Sequence, residues 1–341
     1  MRRFLLFAGV CAALGFDVLP ASAQTAVMAE YGFYRFYALR RHNDIQGVEA
    51  VFDDYRRNWL KRYNSEILVG STPNKHVSDT PHCSHVDELD SGRMNRANCG
   101  SGHVFRSNLV GFTAENRSET DETGVLAYLG YEHLVSEDLF LGLGFGYGTS
   151  QIDHASAGST LDVETTDLAV HLLGGYRFEN QSMAAWNVSY VDATDDVTRD
   201  GNITGSFDSH VLLVTGVWYK NWDLTPDRHV SLGIDYTLLN YETEGFIDSS
   251  GQKQKVPIQW RGDFTTSLLF TQDYDNGEVF ARFGTSFEAL RTSAQQLDFT
   301  FDLGGSLKVS DGLAVTGSVG TMLREAGFFE LHGSSRLLAK F

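Results

Sequence analysis

Residues 138–149 read Asp-Leu-Phe-Leu-Gly-Leu-Gly-Phe-Gly-Tyr-Gly-Thr, and this stretch decides the fold. Large apolar side chains take the odd positions from Leu139 to Tyr147, and glycines take the even positions that follow Phe140. Successive side chains of a β-strand point to opposite faces, so this period of two indicates a strand with one bulky apolar face. The same period continues through the chain after Val104, which predicts an all-β protein.

The alternating segments predict a transmembrane antiparallel β-barrel of about 12 strands over residues 104–341. Many segments hold about 15 to 20 residues, whereas strands of a soluble β-sandwich usually hold about five or six. Aromatic residues gather beside the short polar turns, as they do at the interfaces of a membrane barrel. These aromatic residues are Tyr176, Phe178, Trp186, Trp218, Trp222, Tyr274 and Phe280. The predicted strands are 104–116, 122–134, 138–153, 160–178, 182–199, 204–222, 228–247, 256–274, 278–292, 295–309, 313–324 and 327–341.

The first residues predict export from the cytoplasm. Arg2 and Arg3 form a positive region, an apolar run follows from Phe4 to Phe16, and small residues end the segment at Ala23. This order is typical of a secretory signal peptide, which we assign to residues 1–23. We therefore expect the Sec translocon as a partner, a mature chain from residue 24, and a location in the bacterial outer membrane.

Charge and hydropathy exclude two classes of protein. The formal net charge is -17, and such an acidic chain does not favour nucleic acid as a partner. The mature sequence also has no run of about 18 apolar residues, so no transmembrane helix is predicted. A barrel that contacts outer-membrane lipid remains compatible with this composition, because its strands alternate lipid-facing and lumen-facing residues.

Residues 24–103 form a separate N-terminal segment in this interpretation. The spacing of Ile45, Val48, Phe52, Tyr55 and Trp59 predicts a helix within Val27–Tyr63. Residues 64–103 are polar and predict an irregular connector that carries two cysteines. In an exported protein, an even pair of cysteines predicts a disulfide, here between Cys83 and Cys99.

Three histidines of the connector are candidate ligands for a transition metal. His76, His82 and His85 lie near several carboxylates, and imidazole and carboxylate groups both bind such ions. Their spacing matches no strong zinc pattern, and the cysteines between and after them are better used as a disulfide, so no metal site is predicted and the three histidines are weak candidates. We predict no cofactor for the chain.

The C-terminal strand introduces a family resemblance. Apolar positions alternate back from the terminal aromatic residue, and this pattern resembles the signal by which the barrel-assembly machinery inserts outer-membrane proteins. The signal residues would be Leu331, Leu337 and Phe341. With the 12 predicted strands and the glycine-rich strand at 141–148, residues 104–341 resemble the translocator domain of the autotransporter (type V secretion) family.

The resemblance implies a function and also shows a departure. Members of the family use the barrel, with a helix threaded through its pore, to place an N-terminal passenger outside the cell. Their passengers usually have hundreds of residues, whereas only residues 24–103 precede the barrel here. The resemblance therefore implies secretion or display of a short N-terminal segment. The alternatives are a small porin or channel with a periplasmic or plugging N-terminal helix, and a surface adhesion or structural barrel.

Two sets of residues are predicted to line the lumen. Gly142, Gly144, Gly146 and Gly148 would leave room for an inserted helix beside the wall. The second set is charged and forms either an ion-pair network or a selectivity lining. It comprises Asp162, Asp167, His171, Arg177, Asp235, Arg282, Glu288, Asp302, Lys308, Glu330, His332, Arg336 and Lys340, with Arg282 and Glu288 as the expected contacts of a plug.

Enzymatic activity is not predicted. Some 12-stranded outer-membrane barrels are phospholipases with a lipid-facing serine and histidine, but periodicity singles out no such pair here. The sequence also has no Gly-x-Ser-x-Gly elbow.

Overall fold

The structure is a computed structural model. It describes residues 48–58, 103–116, 120–136, 138–156, 159–178, 180–243, 245–251, 253–254, 259–288, 297–310, 313–324 and 328–340. Within these ranges, 12 antiparallel strands close into one barrel, and a short helix precedes them in the chain. The predicted fold class, an all-β barrel with a short helical N-terminal segment, is confirmed.

The described elements are one helix and 14 strands, of which β8 and β9 form a separate two-stranded hairpin. They are α1 (Val48–Asn58), β1 (His103–Asn116), β2 (Thr120–Leu134), β3 (Leu139–Ser156), β4 (Ser159–Phe178), β5 (Ser182–Arg199), β6 (Ile203–Thr225), β7 (Arg228–Thr243), β8 (Phe246–Ile247), β9 (Lys253–Gln254), β10 (Gln259–Tyr274), β11 (Gly277–Glu288), β12 (Leu297–Ser310), β13 (Leu313–Arg324) and β14 (Phe328–Lys340).

Each barrel strand pairs with its neighbours in sequence, and the barrel closes where β1 pairs with β14. In β4 the side chains alternate between buried and exposed from Leu161 to Leu172. The exposed outer face of β3 carries Leu141, Leu143, Phe145 and Tyr147. An outward apolar band on closed antiparallel strands is what a lipid environment requires of a barrel.

The two ends of the barrel differ. At one end, which we call the turn end, the connections are short, as at residues 226–227 and 275–276, and both β1 begins and β14 ends there. At the opposite end, which we call the loop end, residues 244–258 and 289–296 separate consecutive barrel strands. The two ends of the barrel can therefore be told apart, and the direction of α1 can be described relative to them.

The predicted strands agree with the observed strands to within a few residues, except beside the longest loop. We expected one strand over 228–247, but β7 leaves the barrel ladder after Thr243. Residues 246–247 pair with β9 instead, through a turn in which Gly251 has a φ of 82° and Asp248 accepts a hydrogen bond from the backbone N–H of Ser250. Gly251 tolerates this left-handed backbone because it has no Cβ.

Two predicted orientations are wrong. Phe280 is not part of an outer aromatic girdle, because its ring is buried on the lumen side of β11. Asp162 does not face the lumen. On β4 the odd-numbered residues, such as Asp167, are buried on the lumen side, whereas the even-numbered residues, such as Asp162, are exposed on the outer face. The other six girdle aromatics are exposed on the outer surface, as predicted.

No helix in the described ranges is long and apolar enough to cross a membrane.

Candidate functional site

Helix α1 lies inside the barrel, surrounded by inward-facing side chains. Its apolar residues Val48, Phe52 and Tyr55 have no exposed surface. A helix of 11 residues is marginal in water by itself. The packing of α1 against the barrel wall therefore supplies most of its stability, and the lumen around it is the candidate functional site.

One face of α1 is apolar and packs against the wall from β1 to β6. Tyr55 stacks on Phe140 with 3.8 Å between ring centroids and 8° between ring planes. The Tyr55 hydroxyl donates a hydrogen bond of 3.0 Å to Glu132. The cluster contains Val48, Val51, Phe52, Tyr55, Val104, Tyr128, Phe140, Leu173, Met183, Ala185, Val217 and Tyr219. Residues at i, i+3, i+4 and i+7 share one face of a helix, so this contact follows from the spacing of the apolar residues of α1.

The opposite side of α1 is charged and is held by ion pairs. Arg57 has a fully buried side chain whose Nε donates to Glu278 Oε1 at 2.7 Å, and the same guanidinium pairs with Asp54. It also lies over the Phe280 ring, 4.2 Å from the centroid. Burial of an arginine is strongly unfavourable unless it is paired, so these three contacts fix the C-terminal turn of α1 in the lumen.

Arg106 of β1 connects α1 to the wall. Its Nε donates to Glu132 at 2.7 Å and 2.9 Å, and its Nη1 pairs with Asp54 of the helix. Its guanidinium also lies 5.3 Å from the centroid of the Tyr55 ring. Arg106 therefore contacts both the charged and the aromatic side chains of α1.

Arg56 extends to the far wall of the barrel. Its guanidinium donates to the hydroxyl groups and the carbonyl oxygens of Ser231 and Ser267, on β7 and β10. The backbone carbonyl of Arg56 accepts a hydrogen bond of 3.0 Å from Asn221 on β6. These neutral partners satisfy the donors of the arginine without a carboxylate from the wall.

A further network lies at the N-terminal turn of α1. Arg282 donates to Glu49 at 2.7 Å and to Asp302 at 2.9 Å, and it lies 3.4 Å from Asp53. His332 pairs with the other oxygen of Asp302 at 2.8 Å. The predicted ion-pair network of the lumen is therefore present, and it includes the helix.

The direction of α1 follows from these contacts. Near the start of α1, Ala50 accepts a hydrogen bond of 3.1 Å from Arg336, and Glu49 pairs with Arg282. Both arginines lie several residues away from the turn end of their strands. Near its end, Tyr55 and Arg57 contact Phe140 and Glu278, each the second residue of a strand that begins at the turn end. The C-terminus of α1 thus faces the turn end, and its N-terminus faces the loop end.

The helix leaves little free volume at its own level. A cavity between α1 and β11–β14, lined by Asp53, Arg282 and His332 among others, has a volume of about 30 Å³. That volume accommodates about one or two water molecules. Among the described residues, α1 therefore fills most of the space that it shares with these strands, as a plug anchored by charge and by aromatic packing.

The glycines of β3 were expected to leave room for the inserted helix, but the side chains closest to them belong to the barrel wall. Gly142 and Gly144 both lie on the inward face, but a Cβ on Gly144 would overlap the ring of Tyr128, and one on Gly142 would lie 2.9 Å from Cγ of Glu132. Both of these wall side chains belong to the surroundings of α1. The glycines therefore admit Tyr128 and Glu132 against the wall, and the helix packs beside these two side chains. Gly146 and Gly148 are buried on the same face.

The remaining predicted site residues are placed as follows. Arg282 contacts α1, as described above. Leu331 and Leu337 are exposed on the outer face of β14, where the structure gives no test of a barrel-assembly signal. The side chain of Glu288, the signal peptide 1–23, and the residues His76, His82, His85, Cys83, Cys99 and Phe341 lie outside the described residues.

Sequence reasoning missed the wall residues that anchor α1. Arg106, Tyr128 and Glu132 occupy even positions of β1 and β2, which face the lumen, close to the turn end. Charged residues at inward positions of two adjacent strands were a signal for an internal partner. Their closeness depends on the β1–β2 register, in which Arg106 lies opposite Gly130 and Val104 opposite Glu132, and this register was not visible without the structure.

The barrel is similar to solved translocator domains. It resembles the translocator domain of the autotransporter NalP from Neisseria meningitidis with a TM-score of 0.61 and 14% identity, over 70% of this chain and 89% of that chain. The β-domain of the Bordetella autotransporter BrkA gives a TM-score of 0.57 and 12% identity, over 69% and 98% of the two chains. The transport unit of AIDA-I from Escherichia coli gives 0.56 and 10%, over 82% and 98%.

The likeness lies in structure, since no protein-family model and no curated protein sequence matches the chain. The three similar structures share with this chain a barrel that covers most of their own length. The predicted resemblance in fold is confirmed. The chain thus has the fold of the autotransporter translocator β-barrel.

Proposed function

We propose that this protein is an outer-membrane barrel of the translocator type that carries its own N-terminal segment through its lumen and displays the start of that segment at the cell surface. The observation that carries this proposal is the direction of α1. The helix lies in the lumen with its N-terminal residue, Val48, towards the loop end and its C-terminal turn towards the turn end.

The difference between the two ends supports this orientation in the membrane. Outer-membrane barrels have short periplasmic turns and longer extracellular loops. By this rule the turn end is periplasmic, and the loop end, with residues 244–258 and 289–296, faces outwards. The apolar outer band would contact membrane lipid, and the barrel-assembly machinery would insert the strands after Sec-dependent export.

A channel closed by a permanent plug is the second candidate. The buried ion pairs of Arg57, Arg106 and Arg282 favour it, because a helix held in this way is fixed in the lumen. The two functions differ in where the first mature residues lie. Display requires residue 24 to be accessible from outside, whereas a plug inserted from the periplasm does not.

A tag placed at Gln24 tests the proposal in intact cells. The same tag in the loop at residues 248–255 serves as the positive control, and a tag in the turn at residues 275–276 serves as the negative control. Access of protease and antibody to the first two tags, and not to the third, is the expected result. If only the loop tag is reached, display is refuted, and single-channel conductance then tests the channel.

A further inference from the structure

A pair of histidines lies on the outer face of the barrel at the turn end. His103 is the first residue of β1, His133 is the last residue but one of β2, and the two lie directly opposite each other in the β1–β2 register. Their imidazole rings are stacked, with 4.9 Å between ring centroids and 26° between ring planes. The register of the two strands therefore holds two imidazole groups close enough together to bind one ion.

The pair lies on the aqueous side of the aromatic residues at this end. The next outward-facing pair along the same two strands is Phe105 and Tyr131, which lie directly opposite each other and are both exposed. Aromatic rings of this kind lie at the interface between lipid and water. His103 and His133 are one pair nearer the end of the barrel than these rings, so dissolved ions can reach them from the water.

Tyr131 orients one of the two imidazole rings. Its hydroxyl lies 2.6 Å from Nδ1 of His103, within hydrogen-bond distance. This contact occupies Nδ1 and leaves Nε2 of His103 to bind an ion. Histidines that bind metals usually donate their other ring N–H to an oxygen in this way, which fixes the orientation of the ring.

The two imidazole groups determine which ions fit the pair. Imidazole binds the later divalent transition metals, and the affinity of a given site is highest for Cu²⁺. Within the described ranges, no three histidine, cysteine or carboxylate side chains are grouped so that they could hold an ion together, so water must complete the coordination. Cu²⁺ accepts such a set of nitrogen and oxygen ligands in a tetragonal arrangement. The residue of β3 opposite His133 is Leu141, so no cationic side chain faces the ion from that strand.

We propose that His103 and His133 form a site for a divalent transition-metal ion, with Cu²⁺ as the preferred ion, at the turn end of the barrel. The bound ion joins the first residue of β1 to β2, and Tyr131 is a positioning residue for His103. Sequence reasoning missed this site, because the two histidines are far apart in the chain and only the strand register brings them together. The inference goes beyond the proposed function and does not depend on display of the N-terminal segment.

Titration of the full mature chain, without an affinity tag, with Cu²⁺ in detergent micelles tests this proposal. The three connector histidines are replaced by glutamine and the two connector cysteines by serine, so that the connector offers none of these ligands. Electron paramagnetic resonance counts the nitrogen atoms bound to the ion. His103→Gln and His133→Gln each remove one imidazole. Folding of every variant is verified by the mobility shift that a folded barrel shows on heating in detergent.

His210 supplies the matched control. It also lies on the outer face, beside Tyr190, whose hydroxyl lies 3.1 Å from its Nδ1. The residue opposite His210 on β5 is Asp192, however, and not a second histidine. His210→Gln should therefore leave the affinity for Cu²⁺ unchanged. Tyr131→Phe keeps both imidazole groups and should weaken binding by about 10-fold, as loss of an outer hydrogen-bond partner of a metal ligand does.

We expect one ion with two bound imidazole nitrogens in the parent chain. The affinity should fall by more than about 100-fold in His103→Gln and in His133→Gln, because loss of a ligand costs more than loss of an outer partner. Unchanged affinity in either variant, or one bound nitrogen in the parent chain, would overturn the proposal. An equal loss of affinity in His210→Gln would also overturn it, since binding would then not depend on the pair. The tag at Gln24 tests display independently of all these outcomes.

Discussion

Arg57 is a fully buried charge of the site, and its pair with Glu278 can be measured by a double-mutant cycle. Arg57→Met leaves the Glu278 carboxylate buried without its main partner, so we expect the free energy of unfolding to fall by about 3–5 kcal/mol. Glu278→Leu should cost a similar amount. The double variant should lose clearly less than the sum of the two, because neither charge is then left unpaired. Denaturant unfolding in detergent micelles measures all three.

An exposed arginine supplies the control for this cycle. Arg228 lies at the start of β7 and donates to Gln272 at 2.7 Å in an exposed position. Exposed polar pairs of this kind contribute about 0–1 kcal/mol, so Arg228→Met should have little effect. Strictly additive losses at Arg57 and Glu278 would show that the two side chains do not stabilise each other.

Asp200 gives a prediction about pH at the loop end, in the turn between β5 and β6. Hydrogen bonds from the backbone N–H of Thr160 and the hydroxyl of Ser159 hold the pKa of its carboxyl below the usual value. A lowered pKa means that the ionised form stabilises the fold above the unfolded pKa of about 3.9, and that this contribution is lost as the pH falls through the folded pKa.

The test compares proteolysis of this turn at pH 7 and pH 3 with an acid-stable protease. Cleavage near residues 200–202 should increase at pH 3 relative to other loops. Asp200→Asn should make cleavage at pH 7 resemble that of the natural chain at pH 3. Asparagine is the appropriate substitution because Asp200 has a φ of 51°, a left-handed conformation that asparagine adopts readily. An unchanged cleavage pattern in Asp200→Asn would contradict the assigned role.

At the level of elements, α1 depends on its apolar face. Phe52→Ala removes a fully buried ring from the contact with the wall, which should cost about 3 kcal/mol or more. Opening of the helix exposes the peptide bonds after Arg56 and Arg57 to trypsin. We therefore expect cleavage there to become about 100-fold faster, the factor that corresponds to about 3 kcal/mol. Leu224→Ala, at the exposed turn between β6 and β7, should leave this rate unchanged. Equal rates in both variants would show that Phe52 does not hold the helix.

The elements also show what the sequence allows one to predict. The period of two predicted all 12 barrel strands, because apolar side chains recur at every second position on the outer faces of the strands. Leu139 on β3 and Phe329 on β14 are examples. The spacing of Val48, Phe52 and Tyr55 located α1. Phe280 shows the limit of this reasoning: its aromatic character suggested an interface, whereas its strand parity, shared with Glu278 and Arg282, placed it under Arg57.

The partners of α1 could not be derived in this way. Arg106 and Asp54 are 52 residues apart, and Arg56 and Ser267 are 211 residues apart. Strand parity states only whether a side chain faces the lumen. The height and rotation of the helix within the barrel decide which inward side chains it meets, and both depend on the closed ring of strands as a whole.

For the whole molecule, the decisive contact is the ladder between β1 and β14, which closes the barrel. Leu109 lies opposite Ser335 in this register, and both side chains lie on the outer face. With Cys83 and Cys99 replaced by serine, we expect Leu109→Cys and Ser335→Cys to form a disulfide, because directly opposed residues are about 4.5–5.5 Å apart at Cα. Leu109→Cys with Ser334→Cys, on opposite faces, should not. Equal oxidation of both pairs would contradict the register.

The closed ring of strands surrounds a segment of the same chain, so the order in which the ring closes and the helix enters affects the rate of assembly. If the ring closed first, α1 would have to slide lengthwise past Glu132, Glu278 and Asp302, desolvating its arginines before they found their final partners. A ring that closes around a helix already in place avoids that barrier. Formation of the β1–β14 ladder is then the last committed step of biogenesis. Variants that delay it should leave α1 open to proteases for longer, even when the finished barrel is as stable as before.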